Sequence, residues 1–510
     1  MKTPILGSSY VARSVNAADA RMVNLFPEIV PEAGKEPAFL NRAPGLRLLV
    51  TVGTGPIRGV RTVGNYLYVV SGNSLYRIDD SYNVTLLGAV NDIATPVSMA
   101  DNGTQVVIAC DGPMYVYNTL TSVFAQVTDP DFPGALTISF LDGYFVFIEP
   151  DSQRVWVTAL NDPLSVDPLE FASAEADPDN LVSSIADHGQ IWLFGTNSVE
   201  VWYNSGNVDF PLQRIDGAFN EIGCAATFSV AKMDNSLFWL GSDRRGKGIV
   251  YRANGYSGIR VSTHAVEWQI QQYSDITDAV AYTYQQDGHS FYVLSFPTAN
   301  ATWVYDVATQ AWHERAGFIN GEFTRHRSNC QTYFNNVNAV GDYQNGNIYA
   351  FDMEKYSDHD RIQKWLRSWR ALPTGQNNLK RTAQHTLQLD CETGVGLNGY
   401  SVAENIYLQT ESGSFLITES DDKLIDEQQT TVTQGANPQV MLRWSDDGGH
   451  TWSNEHWASM GKIGQYFKRV FWRRLGMTLK LRDRVYEVSG TDPVKVAIVG
   501  AELLLDGTNA

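Results

Sequence analysis

Over residues 64–77 the chain runs Gly-Asn, then Tyr66-Leu67-Tyr68-Val69-Val70, then Ser71-Gly72-Asn73, then Leu75-Tyr76-Arg77. Two β-rich runs separated by small turn-forming residues predict a β-hairpin. The phrase recurs from Gly103, Gly143 and Gly189, and in looser form from Asn235, Gly288 and Gly346. Successive copies start 39 to 58 residues apart. A self-similar β unit of about 40–50 residues points to propeller blades rather than to a helical solenoid. Seven copies suggest seven blades. Alternate residues share a face, so Tyr66 and Tyr68 point one way and Leu67 and Val69 the other. Both faces are apolar, as expected of a blade held between two others.

The flanks differ. Residues 1–50 lack the phrase, and Pro27, Pro31, Pro37 and Pro44 disfavour a helix, so an extended arm lying over another domain or a neighbouring subunit is expected. The propeller is expected over 51–352, with surface loops at 161–176 and 317–327 and an acidic run at 170–179. A connector follows at 353–380. Its Ile362, Trp365, Leu366 and Trp369 have roughly helical spacing, although an extended strand fits almost as well, and the run 374–378 marks a boundary. Residues 381–510 contain fewer, longer strands with polar alternation and predict a β-sandwich, with a large insertion at 397–437. The fold class is therefore all-β: an arm, a propeller and a C-terminal sandwich-like domain.

Composition narrows the function. Aromatic residues at 12% and 42 glycines suit many short strands and tight turns. A net charge of −18 argues against a nucleic-acid coat, although an acidic surface can line a passage that DNA crosses without sticking. Of this charge, −14 lies in the first 375 residues and −4 in the remainder. Cys110, Cys224, Cys330 and Cys391 are widely spaced and read as reduced core thiols rather than a metal site. The N-terminal residues carry no apolar signal-peptide core, and no run approaches a membrane span, so no membrane partner is expected.

Two stretches carry candidate chemistry. Residues 445–452, Ser-Asp-Asp-Gly-Gly-His-Thr-Trp, fit Ser-x-Asp-x-Gly-x-Thr-Trp at Ser445, Asp447, Gly449, Thr451 and Trp452. This resembles the Asp-box of sialidases and related propellers. Its physics is local: Asp bonds its own turn, Gly takes positive φ and Trp packs beneath the hairpin. A folding role is expected, because glycan hydrolysis would need further boxes and a nucleophile pair. A metal site built from His450, His456, Asp446 and Asp447 would diverge on a hairpin and is not favoured. No phosphate loop, nucleophile elbow or zinc helix motif stands in its required context, and neither cofactor nor catalytic residue is expected.

The second stretch, 462–484, holds Lys462, Lys468, Arg469, Arg473, Arg474, Lys480, Arg482 and Arg484 against Asp483, a local net of +7. Tyr466, Phe467, Phe471 and Trp472 are interleaved. It could be the wet face of a strand pair, a docking patch for an acidic protein surface, or a nucleic-acid contact; protein docking is favoured.

The whole arrangement resembles the packaged-DNA stabilisation, or tail-hub, proteins of short-tailed bacteriophages. The residues that carry this are Ala12-Arg13-Ser14, Asn24-Leu25-Phe26-Pro27-Glu28 and Pro44-Gly45-Leu46, then Leu387-x-Leu389-Asp390-x-Glu392-x-Gly394-Val395-Gly396, the stretch 442–449 and Arg-Val-Phe-Trp-Arg-Arg-Leu-Gly at 469–476. The resemblance implies head completion. A homohexameric ring would assemble under the portal and its adaptor in the host cytoplasm, stop DNA leaking and seat the tail needle and tailspikes in the virion tail. Double-stranded DNA would pass without specific binding. A glycan-binding or glycan-cleaving propeller of sialidase type is the alternative, and a peptide-binding cytoplasmic scaffold is a third reading.

Overall fold

The computed structural model describes all residues except 15–18, 32–33, 176, 245, 373–380, 399, 409, 411–415, 417–424, 433, 479–483 and 508–510. From residue 57 onward, antiparallel sheets follow one another along the chain, over 57–89, 98–126, 138–173, 181–220, 223–260 and 280–314. A seventh combines Ser328–Phe334, Val337–Asp342 and Asn347–Asp352 with Gly45–Thr51 from near the N-terminus. Registers such as Asp352↔Gly45 and Asn347↔Thr51 let the early strand close the ring of sheets with the late one. One strand of each sheet lines a central channel of about 560 Å³, one residue from each in turn being Arg61, Asp101, Ser139, Ala186, Lys232, Thr283 and Gln331. This is a β-propeller.

The recurring phrase supplies the middle strands of each sheet. Tyr66–Ser71, for example, is buried on both faces at five of its six positions. The turn residues Gly64, Gly103, Gly143, Gly189 and Gly288 all take positive φ. The copy read at Gly346 is out of phase: it is the third strand of its sheet, and the true second strand, Val337–Asp342, follows an Asn335-Asn336 turn with φ of 47° and 61°. Two asparagines there adopt the left-handed turn that Gly supplies elsewhere.

The stretches expected as surface loops contain structure. Phe171–Ser173 is the outer strand of the third sheet, and Ala316–Ile319 pairs with Glu322–Arg325 as a hairpin. The helix His264–Gln271 lies within the propeller, not in the connector.

The expected N-terminal arm is instead built into sheets. Leu25–Ile29 pairs with Ala38–Arg42, which pairs with Ala497–Gly507, then Thr382–Cys391 and Val470–Met477, to form one face of the sandwich. Met22–Val23 joins the other face. Val23 pairs in parallel with Glu314 on one side, and Met22 and Val23 pair with Arg367 and Leu366 on the other. The result is a nine-stranded sheet that continues the propeller's 280–314 sheet through two residues into Trp365–Arg370, Val485–Gly490, Gln439–Ser445 and His456–Ser459. The sandwich core accordingly draws Ile5, Met22, Leu25 and Leu40 together with Trp365, Trp369, Leu387 and Tyr486. The sandwich thus takes in residues well before 381 and most of 1–44.

The connector is the strand Trp365–Arg370, with Trp365, Leu366, Arg367, Ser368 and Trp369 all buried. Trp365 and Trp369 enter the sandwich core while Leu366 packs with Val23 and Ala316 on the opposite face, so the apolar positions do not alternate and their spacing mimics a helix. The run 374–378 lies outside the described residues. The 397–437 insertion carries the hairpin Tyr400–Tyr407 with Ile425–Val432.

Two buried polar residues lock the junction. Asn24, at φ 52°, donates from Nδ2 to Ala316 O (2.8 Å) and Lys364 O (2.7 Å) and accepts from Ala316 N (2.9 Å). Arg42 donates to Gln363 Oε1, Asp492 O, Val494 O, Tyr356 O and Gln363 O at 2.6–3.1 Å. Such fully bonded burial is what a guanidinium requires away from water.

Candidate docking interface

The strands Gln439–Ser445 and His456–Ser459 pair antiparallel, and the Asp-box stretch forms the connection between them. Ser445 Oγ donates to Asp447 Oδ1 (2.6 Å) and accepts from Gly449 N (2.8 Å). Asp447 in turn accepts from Thr451 N (2.9 Å) and Thr451 Oγ1 (2.6 Å). Gly448 and Gly449 take φ of 76° and 100°. The Ser445 and Thr451 hydrogen bonds hold the Asp447 carboxyl well below the usual carboxylate range. Trp452 is half-buried with the Arg443 guanidinium 4.8 Å above its ring. Both carboxylate oxygens of Asp447 are bonded within its own turn.

The neighbouring Asp446 has a separate task. Its two oxygens take a bidentate pair from Arg484 Nε (2.7 Å) and Nη2 (2.8 Å). His456 stacks on Trp444 at 4.7 Å. Among the described residues no group of three or more His, Cys, Asp or Glu is placed to hold a metal.

The basic segment splits. Arg484 is only 2% exposed and also donates to Leu475 O (2.7 Å), so it belongs to the core and not to a docking patch. Charge count along the sequence missed this, because its partner Asp446 lies 38 residues away, in the turn just after the strand Gln439–Ser445. Lys480 and Arg482 lie outside the described residues. Lys462, Lys468, Arg469, Arg473 and Arg474 are exposed, and none has an ion-pair partner among the described residues. On the strand Val470–Met477, Val470 and Trp472 point inward while Arg473 and Arg474 point out, Arg473 stacking on Phe471 at 4.5 Å.

Next to these cations the sequence reading missed an apolar surface. Phe467 is 99% exposed and Tyr466 70%, with Ile463 and Trp457 exposed beside them in the chain. The 461–469 loop is nonetheless tightly bonded: Gln465 N and Lys468 N donate to Lys462 O and Gln465 O, and Thr393 Oγ1 donates to Tyr466 O, at 3.0–3.1 Å. Gly394 and Gly396 let it sit directly on the preceding strand end. A Cβ on Gly394 would lie 2.9 Å from Tyr466 N, and one on Gly396 would lie 3.0 Å from Ile463 N. The Gly-Val-Gly motif is thus the seat of the exposed loop.

Two family models cover this architecture. The first, described as bacteriophage P22 Gp10, beta-propeller, matches residues 1–356, and the second, bacteriophage P22 Gp10, beta-sandwich, matches residues 365–505. The chain belongs to the bacteriophage P22 Gp10 family. This is the packaged-DNA stabilisation and tail-hub family of phages, a structural family, and membership makes the chain a virion component. No curated protein matches it.

Solved structures similar to this Gp10-family chain include a streptogramin B lyase (10% identity, 66% of this chain and 100% of that one, TM-score 0.40). The β-propeller domain of Myceliophteria thermophila Cps50 (Swd1) is similar at 10% identity, over 60% of this chain and 99% of that one, TM-score 0.39. The extracellular domain of the hybrid two-component system BT4673 from B. thetaiotaomicron is similar at 11% identity, over 89% of this chain and 58% of that one, TM-score 0.42.

Proposed function

We propose that this chain completes the phage head after packaging. It closes the channel below the portal and its adaptor, retains the genome and seats the tail needle and tailspikes. The observation that carries the reading is the pair of family matches spanning propeller and sandwich alike. Two physical features support it. The two domains share one continuous sheet and a common polar junction, which suits a stiff spacer. The net charge of −18 would let DNA pass a homohexameric ring without adhering.

In this reading the exposed cations of the sandwich steer assembly with an acidic neighbour. Exposed pairs contribute about 0–1 kcal/mol each and weaken with salt, so they act mainly on encounter.

The test is genome retention by particles assembled with Arg473→Glu plus Arg474→Glu, beside an Arg252→Glu control on the propeller. The double variant is expected to fold normally yet give heads that leak DNA. If particles lacking the chain altogether keep their genome, the head-completion reading is wrong.

A further inference from the structure

The exposed loop of the sandwich has a counterpart on the propeller. Over residues 160–170, Leu160, Leu164 and Leu169 are exposed, Leu169 by 80%. They are held outward by an ordered loop. Asp162 Oδ1 accepts from Leu164 N (3.1 Å), Asp167 Oδ1 accepts from Leu169 N (2.9 Å), and Val166 N donates to Asp129 Oδ2 (3.2 Å). Pro163 and Val166 are buried as anchors beneath. Asp162, Asp167 and Glu170 are interspersed with the leucines along this loop, and none of them makes an ion pair among the described residues. Burial, with the nearby Asp167, pushes the Glu170 carboxyl up, as expected of an acid lacking a cation. Farther along the acidic run, by contrast, Asp177 pairs with Arg244 and Asp179 accepts from Ser198 N and Oγ. Those charges are already used.

One chain therefore presents a loop with three exposed leucines interspersed with unpaired carboxylates, and an Ile463–Tyr466–Phe467 prominence flanked in the chain by Lys462, Lys468 and Arg469. An aromatic anchor entering an apolar patch with complementary rim charge is the composition of an interface hot spot. We propose that loop 461–469 of one copy docks on loop 160–170 of a second copy. The contact is heterologous, joining different surfaces of identical chains, so it propagates until rotation closes a ring. It deepens the assembly reading above and rests on it for the identity of the occupant, a second copy of this chain.

The test uses two full-length variants. Phe467→Asp spoils the loop and leaves the leucine patch intact, whereas Leu169→Asp does the reverse. Both sites are exposed, so melting temperatures close to wild type are expected. By sedimentation velocity the wild-type chain should associate, less so at 0.5 M than at 0.05 M salt, and each variant alone should be at least tenfold weaker. An equimolar mixture should give dimers and nothing larger, because only one intact contact remains per pair.

A wild-type chain that stays monomeric across the concentration range, or variants that associate as it does, would overturn the proposal. So would association that survives Phe467→Asp while binding to a 30-base-pair DNA duplex is lost, which makes the loop a nucleic-acid contact. Genome retention without the chain would sink the head-completion reading and leave this contact standing. Hexamers formed by Phe467→Asp would do the opposite.

Discussion

The propeller and the sandwich are both antiparallel β-structure, yet they are assembled from the chain in opposite ways. In the propeller, strands pair with near neighbours: Tyr66–Ser71 binds Ile57–Val63 and Ser74–Ile78, while Gly45–Thr51 reaches across the domain to close it. In the sandwich, Ala38–Arg42 binds Ala497–Gly507, and Met22–Val23 binds both Ala311–Glu314 and Trp365–Arg370. Local pairing gives each sheet a self-contained hairpin. Distant pairing makes the sandwich depend on both ends of the chain, at a higher cost in loop closure. The same distant strands make the two regions continuous.

Removing residues 1–44 should break this comparison most severely. One sandwich sheet loses two of its five strands, and the Met22–Val23 bridge disappears. Hydrogen exchange should then show loss of protection at Thr382–Cys391 and Val485–Gly490, while Gln105–Ala109 and Tyr144–Ile148 keep theirs. Retained protection in the sandwich would show that the N-terminal strands only decorate it.

Within the basic segment, Arg484 and Arg473 should behave as different kinds of residue. Arg484→Ala leaves the Asp446 carboxylate unpaired in a nearly buried site and should cost about 3 kcal/mol by urea unfolding. Arg473→Ala, on the wet face of the strand Val470–Met477, should stay within about 0.5 kcal/mol. Asn24→Ala strips Ala316 N and two carbonyls of their partners at the junction and should cost about 2 kcal/mol.

The smallest effects are in pH dependence, and they have opposite signs in the two regions. Asp358, buried beside the junction, has its carboxyl pushed up to about 7 by burial. A raised folded-state value means that stability falls as pH climbs from the ordinary carboxylate range, about 4, toward 7. Asp358→Asn should flatten that slope. Asp447 is depressed, so its contribution is present above about pH 4 and is lost as pH falls below it. Asp447→Ala should remove that acid sensitivity from the sandwich. Melting curves at pH 3 to 8 separate the two.

The propeller was legible because its hairpins repeat a turn-and-strand pattern whose partner lies within the same phrase. The Asp-box was legible for the same reason, since Ser445, Asp447, Gly449 and Thr451 bond one another. Three features escaped. Met22–Val23 is too short to show alternation, and Pro27 sits within the strand Leu25–Ile29. Trp365–Arg370 is buried on both faces, so its apolar spacing could be fitted to a helix. Arg484 reads as one more surface cation until Asp446 is placed opposite it. The exposed loop 461–469 left a trace, consecutive Tyr466 and Phe467 between lysines, but exposure is a property of the fold.

Residues 1–44 make propeller and sandwich one mechanical body, and calorimetry of the intact chain tests this directly. A single heat-absorption peak is expected, which Asn24→Ala should split by releasing the sandwich at a lower temperature. Two separate peaks in the unaltered chain, with neither moved by Asn24→Ala, would contradict it.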